Sequence, residues 1–273
     1  MRFGVCAPIE RAPIVARMGY DYIEPGAVDA FAGQSPEADR VRENAAALQA
    51  AGIGAEACNG LVPADLRITG PNRVPAKLHE YMQRVCERAA TLDVKALVFG
   101  SGGARRVDDG YPHEQAWSEI VAFLKDAAGP AAANGIVIAI EPLCAKECNI
   151  INSVAEGIRL AEAVGRRDAV AVLSDKYHVD TDAQSYEETA SAGARLRHVH
   201  VACGLDRHAP RDGDVDELTA YFNALKLCGY DERVSVECSF VDFEAEAPIA
   251  LDAVRRAWKA ASPVGIFESR KGS

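Results

Sequence analysis

The sequence predicts an α/β protein folded as a single (β/α)8 barrel, the TIM-barrel architecture. Two observations predict it. Short apolar runs alternate with longer amphipathic segments along all 273 residues, as in a parallel sheet covered by helices. Four of the later runs also end on, or just before, an acid or a histidine. These are IVIAI before Glu141, VAVLS before Asp175, LRHVH ending at His200, and VSV before Glu237. The steps between them are 34, 25 and 37 residues, each close to one strand-plus-helix unit. A carboxylate directly after an apolar run is costly inside a core. It makes sense where a strand ends and opens onto a site.

The strands are expected at residues 2–6 (RFGVC), 22–24 (YIE), 53–58 (IGAEAC), 96–99 (ALVF), 136–140 (IVIAI), 169–173 (AVAVL), 196–201 (LRHVHV) and 234–237 (VSVE). Each is short, apolar and rich in β-branched residues or alanine. Helices are expected between them. Residues 36–51 carry VRENAAALQAA and stop at Gly52, and residues 75–92 open on Pro75 with a long amphipathic run. Residues 112–134 precede Gly135, and residues 214–228 precede Gly229, each glycine a C-terminal stop. Residues 153–164 begin with Ser153 three positions before Glu156, a capping-box pattern. A final helix covers 242–261. No Pro-, Ser- or Gly-rich linker interrupts the series. The chain therefore reads as one domain over 1–273, with 262–273 as a C-terminal tail. The rival open sheet usually has a glycine-rich phosphate turn after its first strand. Here that position reads Ala7-Pro8-Ile9-Glu10.

Composition narrows the function. The chain is 49% hydrophobic and 26% charged, ordinary for a globular protein. Its net charge of −10 argues against nucleic acid as a partner, because duplex binding asks for a basic face. Arg105-Arg106, Arg166-Arg167 and Arg255-Arg256 are isolated pairs. No apolar run nears the roughly 18 residues of a membrane span, and MRFGVCAPIE lacks the apolar stretch of a secretory signal. The eight cysteines show no C-x-x-C spacing, which predicts reduced thiols and a cytoplasmic protein. Cys144 and Cys148 lack the second pair a zinc site needs.

Strand C-termini of a barrel share one face, where the active site sits. Glu141, Asp175, His200 and Glu237 are therefore expected to converge there. Three carboxylates and an imidazole suit one divalent metal ion, Mn²⁺ first, with Mg²⁺, Co²⁺ or Zn²⁺ as the other candidates. A cation removes the mutual repulsion of the acids. The following loops offer Glu147, His178, and Arg207 with His208 on a turn-rich lid, as hydrogen-bonding groups for a polyhydroxylated ligand. Asn59 and Glu24 end strands on the same face and are candidates for substrate contact. His198 points to the same side as His200. It is read as core packing, with a hydrogen bond to a ligand residue as the alternative. His79 and His113 are expected on the surface, Trp117 and Trp258 in packing, and Tyr177 and Phe240 as an apolar wall. The loop FGSGGARRVDDGY has two readings: a solvated loop, or an Arg105-Arg106 grip on a phosphate or carboxylate.

The segments EPLxxxExN, DxxHxD, HVHxAxGxxRHxPxxGD and VECSF resemble the sugar isomerase/epimerase barrels related to xylose isomerase. That group includes ketose 3-epimerases, hydroxypyruvate isomerase and the inosose-processing enzymes. The resemblance covers residues 136–240 well, and the N-terminal half in its alternation of elements. It implies that Glu141, Asp175, His200 and Glu237 are the metal ligands. It makes Glu141 and Glu237 the catalytic acid/base pair, and puts Glu147, His178 and Arg207 against substrate oxygens. It also implies a homodimer or homotetramer. Arg207 lies seven residues after His200, the spacing of the hydroxypyruvate-isomerase-like loop, whereas ketose 3-epimerases are expected to show six. Glu147 after EPL follows the epimerase pattern. The implied activity is glutamate-mediated proton transfer on a small ketose or keto-polyol through a metal-stabilised enediolate. An inosose-type dehydratase is the nearest alternative. An endonuclease of the AP type and a non-catalytic sugar-binding barrel are the remoter ones.

Overall fold

The computed structural model describes residues 1–31 and 39–263. Eight parallel strands form the wall: β1 Arg2–Cys6, β2 Tyr22–Glu24, β3 Ala57–Cys58, β4 Ala96–Phe99, β5 Val137–Ile140, β6 Val170–Asp175, β7 Leu196–Val201 and β8 Arg233–Val236. Their order is β2-β1-β8-β7-β6-β5-β4-β3. Parallel bridges Tyr22–Gly54 and Gly26–Asn59 join β2 to the β3 segment, so the sheet closes on itself. The expected (β/α)8 barrel is the observed fold.

All eight expected strands are present. β1, β2, β4 and β7 match their expected bounds, β5 and β8 differ by one residue at their ends, and β3 and β6 differ more. The segment 53–58 follows the wall but divides its pairing. Gly54 bridges to β2, and only Ala57 and Cys58 pair with β4. Asp175 lies inside β6 as its last residue rather than beyond it.

The major helices run Pro75–Thr91, His113–Ala133, Val154–Val164, Val215–Leu227 and Phe243–Ala260, within two residues of the expected bounds. The helix expected at 36–51 is described as Asp39–Ala51, and its expected start lies outside the described residues. So does the tail from 264 onward. Ser153 Oγ accepts the Glu156 N–H at 3.2 Å. The Glu156 carboxylate accepts from Asn152 N at 2.7 Å, one residue earlier than a full capping box requires. Among the described residues, five shorter helices escaped the sequence pattern: Ala12–Met18, Ala27–Phe31, Gly102–Arg105, Lys176–Thr181 and Tyr186–Ser191. Each is too short to display a helical period.

The main apolar core lies between the sheet and its helices. Inside the barrel, Tyr22, Ala57 and Ala96 fill the N-terminal end, with Val98, Ala139 and Leu173 above them. Gly4 makes room for this plug, since a Cβ there would meet the Tyr22 ring at 2.3 Å. The upper interior is polar, with Glu24, Asp175, His198, His200 and Ser235 all buried. Such a layer is stable only where its members satisfy one another. Trp117 and Trp258 pack against the core as expected, beneath Arg159 and Lys226. His79 and His113 are exposed.

Candidate active site

Glu141 follows β5 and is held by its N–H to Phe99 O at 3.2 Å. Asp175 ends β6. Pairing between β6 and β7 shifts register at Val172/Leu173, a bulge that re-aims side chains. The shift sets His200 beside Asp175 and His198 beside Leu173. Glu237 follows β8 and is anchored by its N–H to Val201 O at 3.0 Å. One potential ligand atom from each of Glu141, Asp175, His200 and Glu237 lies within 4.8 Å of the others. His200 Nδ1 stands 3.0 Å from Glu141 Oε1 and 3.3 Å from Glu237 Oε2. The four residues singled out in the sequence are thus brought together at the C-terminal mouth. Gly100 is part of the cradle, because a Cβ there would sit 2.2 Å from Glu141 Oε2.

Charge is tightly coupled here. Burial pushes Asp175 up, against the pull of His178 and Arg207. Burial also pushes Glu237 up, but the charges of His200 and Arg207 hold it down at about 2. His200 is lowered by burial and raised more by Glu24 and Glu237, which leaves it well above the usual imidazole range. Three oxygen donors and one nitrogen, packed this closely and needing positive charge, fit a divalent cation.

The three predicted substrate contacts surround this cluster. Arg207 reaches Glu237 Oε2, stands 3.3 Å from Asp175 Oδ2 and 3.7 Å from Glu147, and lies 4.6 Å over the Tyr177 ring. Its backbone is left-handed, with φ 57°, an unusual conformation outside glycine. A short hairpin holds it, in which Cys203 and His208 exchange backbone hydrogen bonds at 3.0 and 2.9 Å. His178 Nδ1 accepts the Cys144 N–H at 3.2 Å, so Nε2 carries its proton, 3.5 Å from Asp175 Oδ2. Glu147 is half-buried on the rim.

Several other expectations are corrected. His208 pairs with Asp206 and Asp214 at 2.7 and 3.2 Å instead of facing the cluster. Glu24 is wholly buried, and the role of His198 goes beyond packing. Its Nε2 donates to Glu24 Oε2 at 2.8 Å, while His200 Nε2 donates to Glu24 Oε1 at 2.9 Å. Arg105 neither faces solvent nor grips an anion. It is fully buried and donates to Phe99 O, Glu141 O and Ile151 O at 2.9, 2.8 and 3.5 Å. It thereby ties the ends of β4 and β5 together below Glu141. Arg106 is exposed and meets Glu147 O at 3.4 Å. Phe240 is half-buried against Phe243. Tyr177 supports Arg207, and its hydroxyl accepts from Lys146 at 2.9 Å.

The sequence reading missed Lys176. Its amine is buried between Asp180 and Glu217, and it fastens the short helix that carries Tyr177 and His178. Only a lysine directly after a ligand-type aspartate hinted at it. Beside the cluster, a cavity of about 520 Å³ opens among Cys6, Glu10, Asp29, Arg40, Asn44 and Asn59, within the size range of small-molecule sites.

The fold and this cluster define a (β/α)8 barrel with an acid–imidazole site at its C-terminal mouth. The chain belongs to the xylose isomerase-like TIM barrel family, which it matches over residues 13–257. It is 30% identical over 224 residues to an L-ribulose 3-epimerase of Methylomonas sp. (strain DH-1), covering 81% of this chain and 75% of that one. A D-psicose 3-epimerase of Agrobacterium fabrum is 26% identical over 209 residues, 73% of this chain and 68% of the relative. The crystal structure of a D-psicose 3-epimerase from Clostridium cellulolyticum H10, with D-tagatose, matches with a TM-score of 0.81 at 21% identity. That match covers 94% of this chain and 99% of the other.

Proposed function

We propose that this protein is a divalent-metal-dependent epimerase or isomerase of a small ketose or keto-polyol. The observation that carries the reading is the four-residue cluster Glu141, Asp175, His200 and Glu237 in a chain related to ketose 3-epimerases. These four residues would hold the metal, Mn²⁺ being the leading candidate. A cation there supplies positive charge to the oxygen that becomes anionic when a neighbouring carbon loses its proton.

The protein's own groups do the rest. Glu141 and Glu237 approach from β5 and from the end of β8. One carboxylate takes the carbon-bound proton, and the other returns a proton to the planar intermediate, inverting the centre. Arg207, His178 and Glu147 bind and orient the substrate oxygens. The adjoining cavity is large enough for the rest of a monosaccharide. The spacing of Arg207 from His200 favours a second outcome, in which the proton returns to the neighbouring carbon and gives an aldose–ketose isomer. Loss of a hydroxyl from the same intermediate gives dehydration.

The barrel is proposed as the one domain of the chain. A cytoplasmic location is proposed from the eight cysteines, all of them free. No helix among the described residues is long and apolar enough to cross a membrane. The reading is tested by offering ketoses and keto-inositols to the protein in D₂O with Mn²⁺ and following deuterium uptake by NMR after metal removal. Epimerisation, isomerisation and elimination leave different labelled products. Absence of uptake with every substrate contradicts the reading.

A further inference from the structure

We infer that Glu24 is the positioning residue of this site: it fixes His200 with Nδ1 turned toward Glu141, Asp175 and Glu237, and so sets the affinity for the cation. The inference rests on the metal-site reading above and deepens it.

The argument follows the direction of the hydrogen bonds. An ionised carboxylate only accepts. Glu24 is fully buried and meets three donor groups: His200 Nε2 at 2.9 Å, His198 Nε2 at 2.8 Å and Ser235 Oγ at 2.5 Å. Ser235 spends its proton on Glu24, so Tyr22 OH donates to Ser235 Oγ at 2.7 Å. His198 Nδ1 has no partner among the described residues, so the ring's proton belongs on Nε2, facing Glu24. Every bond in the group therefore points at Glu24, from the floor of the barrel to the mouth.

For His200 the consequence is definite. Its Nε2 must keep a proton for Glu24. In the neutral ring, Nδ1 is then the nitrogen with a free lone pair, and Nδ1 is the one beside Glu141 and Glu237. A carboxylate behind a ligating imidazole sets both ring orientation and basicity. Glu24 is well placed for this because Tyr22 and Gly4 lock β2 and β1 in register beneath it.

The test uses Zn²⁺, which is diamagnetic. In the zinc-loaded wild type, long-range ¹H–¹⁵N correlation of the histidines is expected to show His200 protonated at Nε2 and ligated through Nδ1. Glu24→Gln is expected to bind Zn²⁺ about 10–100-fold more weakly and to show a mixed His200 tautomer while remaining folded. Glu24→Asp keeps the charge in the core with a carboxylate one methylene short, and about tenfold weaker binding is expected. A wild type ligated through Nε2 overturns the inference, as does wild-type affinity in either folded variant. His200→Ala separates the two claims. If it loses Zn²⁺ while Glu24→Gln keeps it, the positioning role is wrong and the metal site stands. Wild-type affinity in His200→Ala overturns the metal site itself.

Discussion

Asn59 Nδ2 donates to Glu237 Oε1 at 2.9 Å, across the seam where the barrel closes. The backbone of the same residue forms that seam. Its N–H donates to Pro25 O at 3.2 Å, and its carbonyl accepts from Ala27 N at 2.7 Å. One asparagine thus fastens β2 to the β3 segment and steadies a glutamate that follows β8. Asn59→Ala is expected to lower kcat about 10- to 100-fold, the equivalent of a charged hydrogen bond worth about 1.5–3 kcal/mol. Steady-state kinetics on the substrate found by deuterium exchange checks it. An unchanged kcat would mean that Arg207 and His200 hold Glu237 without it.

Gly100 is required for space. Gly100→Ala puts a methyl 2.2 Å from Glu141 Oε2, and the carboxylate has to move. A displacement of about 1 Å near the chemistry can cost about 100-fold, so a loss of that order is expected with the fold retained. Gly129→Ala is the control. It lies inside the helix His113–Ala133 with nothing near the added methyl. It should leave activity unchanged and stabilise by about 1 kcal/mol, read by urea denaturation.

Arg105 is the strut beneath Glu141. Arg105→Ala leaves Glu141 O without its donor, at a cost of about 1–3 kcal/mol, and opens a cavity where a fully buried side chain stood. Phe99 O and Ile151 O keep the N–H groups of Glu141 and Leu143. A loss of about 3 kcal/mol or more is expected in denaturant unfolding. Arg105→Lys should recover only part of it, since one ammonium cannot reproduce the planar fork. A neutral Arg105→Ala would show that the loop repacks.

Arg207 is proposed to bind substrate. Arg207→Ala should raise KM about tenfold or more and change metal affinity by only a few-fold. Titrating the metal and the sugar separately checks both halves. A collapse of metal binding would instead make Arg207 part of the ligand cradle.

Much of this was legible in the chain. Strands ending in Glu141, Asp175, His200 and Glu237 could be read because a strand leaves its end residue on a known face of a barrel. Whatever the long-range pairing decides could not be read. The burial of Arg105 depends on three carbonyls, two of them more than thirty residues away in sequence. Glu24 meets His198 and His200 only because β1 and β8 lie between β2 and β7. The left-handed conformation at position 207 falls on an arginine rather than a glycine, and the short helix at Lys176 has no period to announce it.

The central claim is that Glu141 and Glu237 move a substrate proton beside a bound cation. Deuterium incorporation at the carbon next to the ketone, measured in D₂O for wild type, Glu141→Gln, Glu237→Gln and chelator-treated protein, tests it most directly. The account predicts uptake in the wild type, a fall of at least about 1,000-fold in both folded variants, and loss on chelation reversed by Mn²⁺. Wild-type uptake in both variants would contradict it.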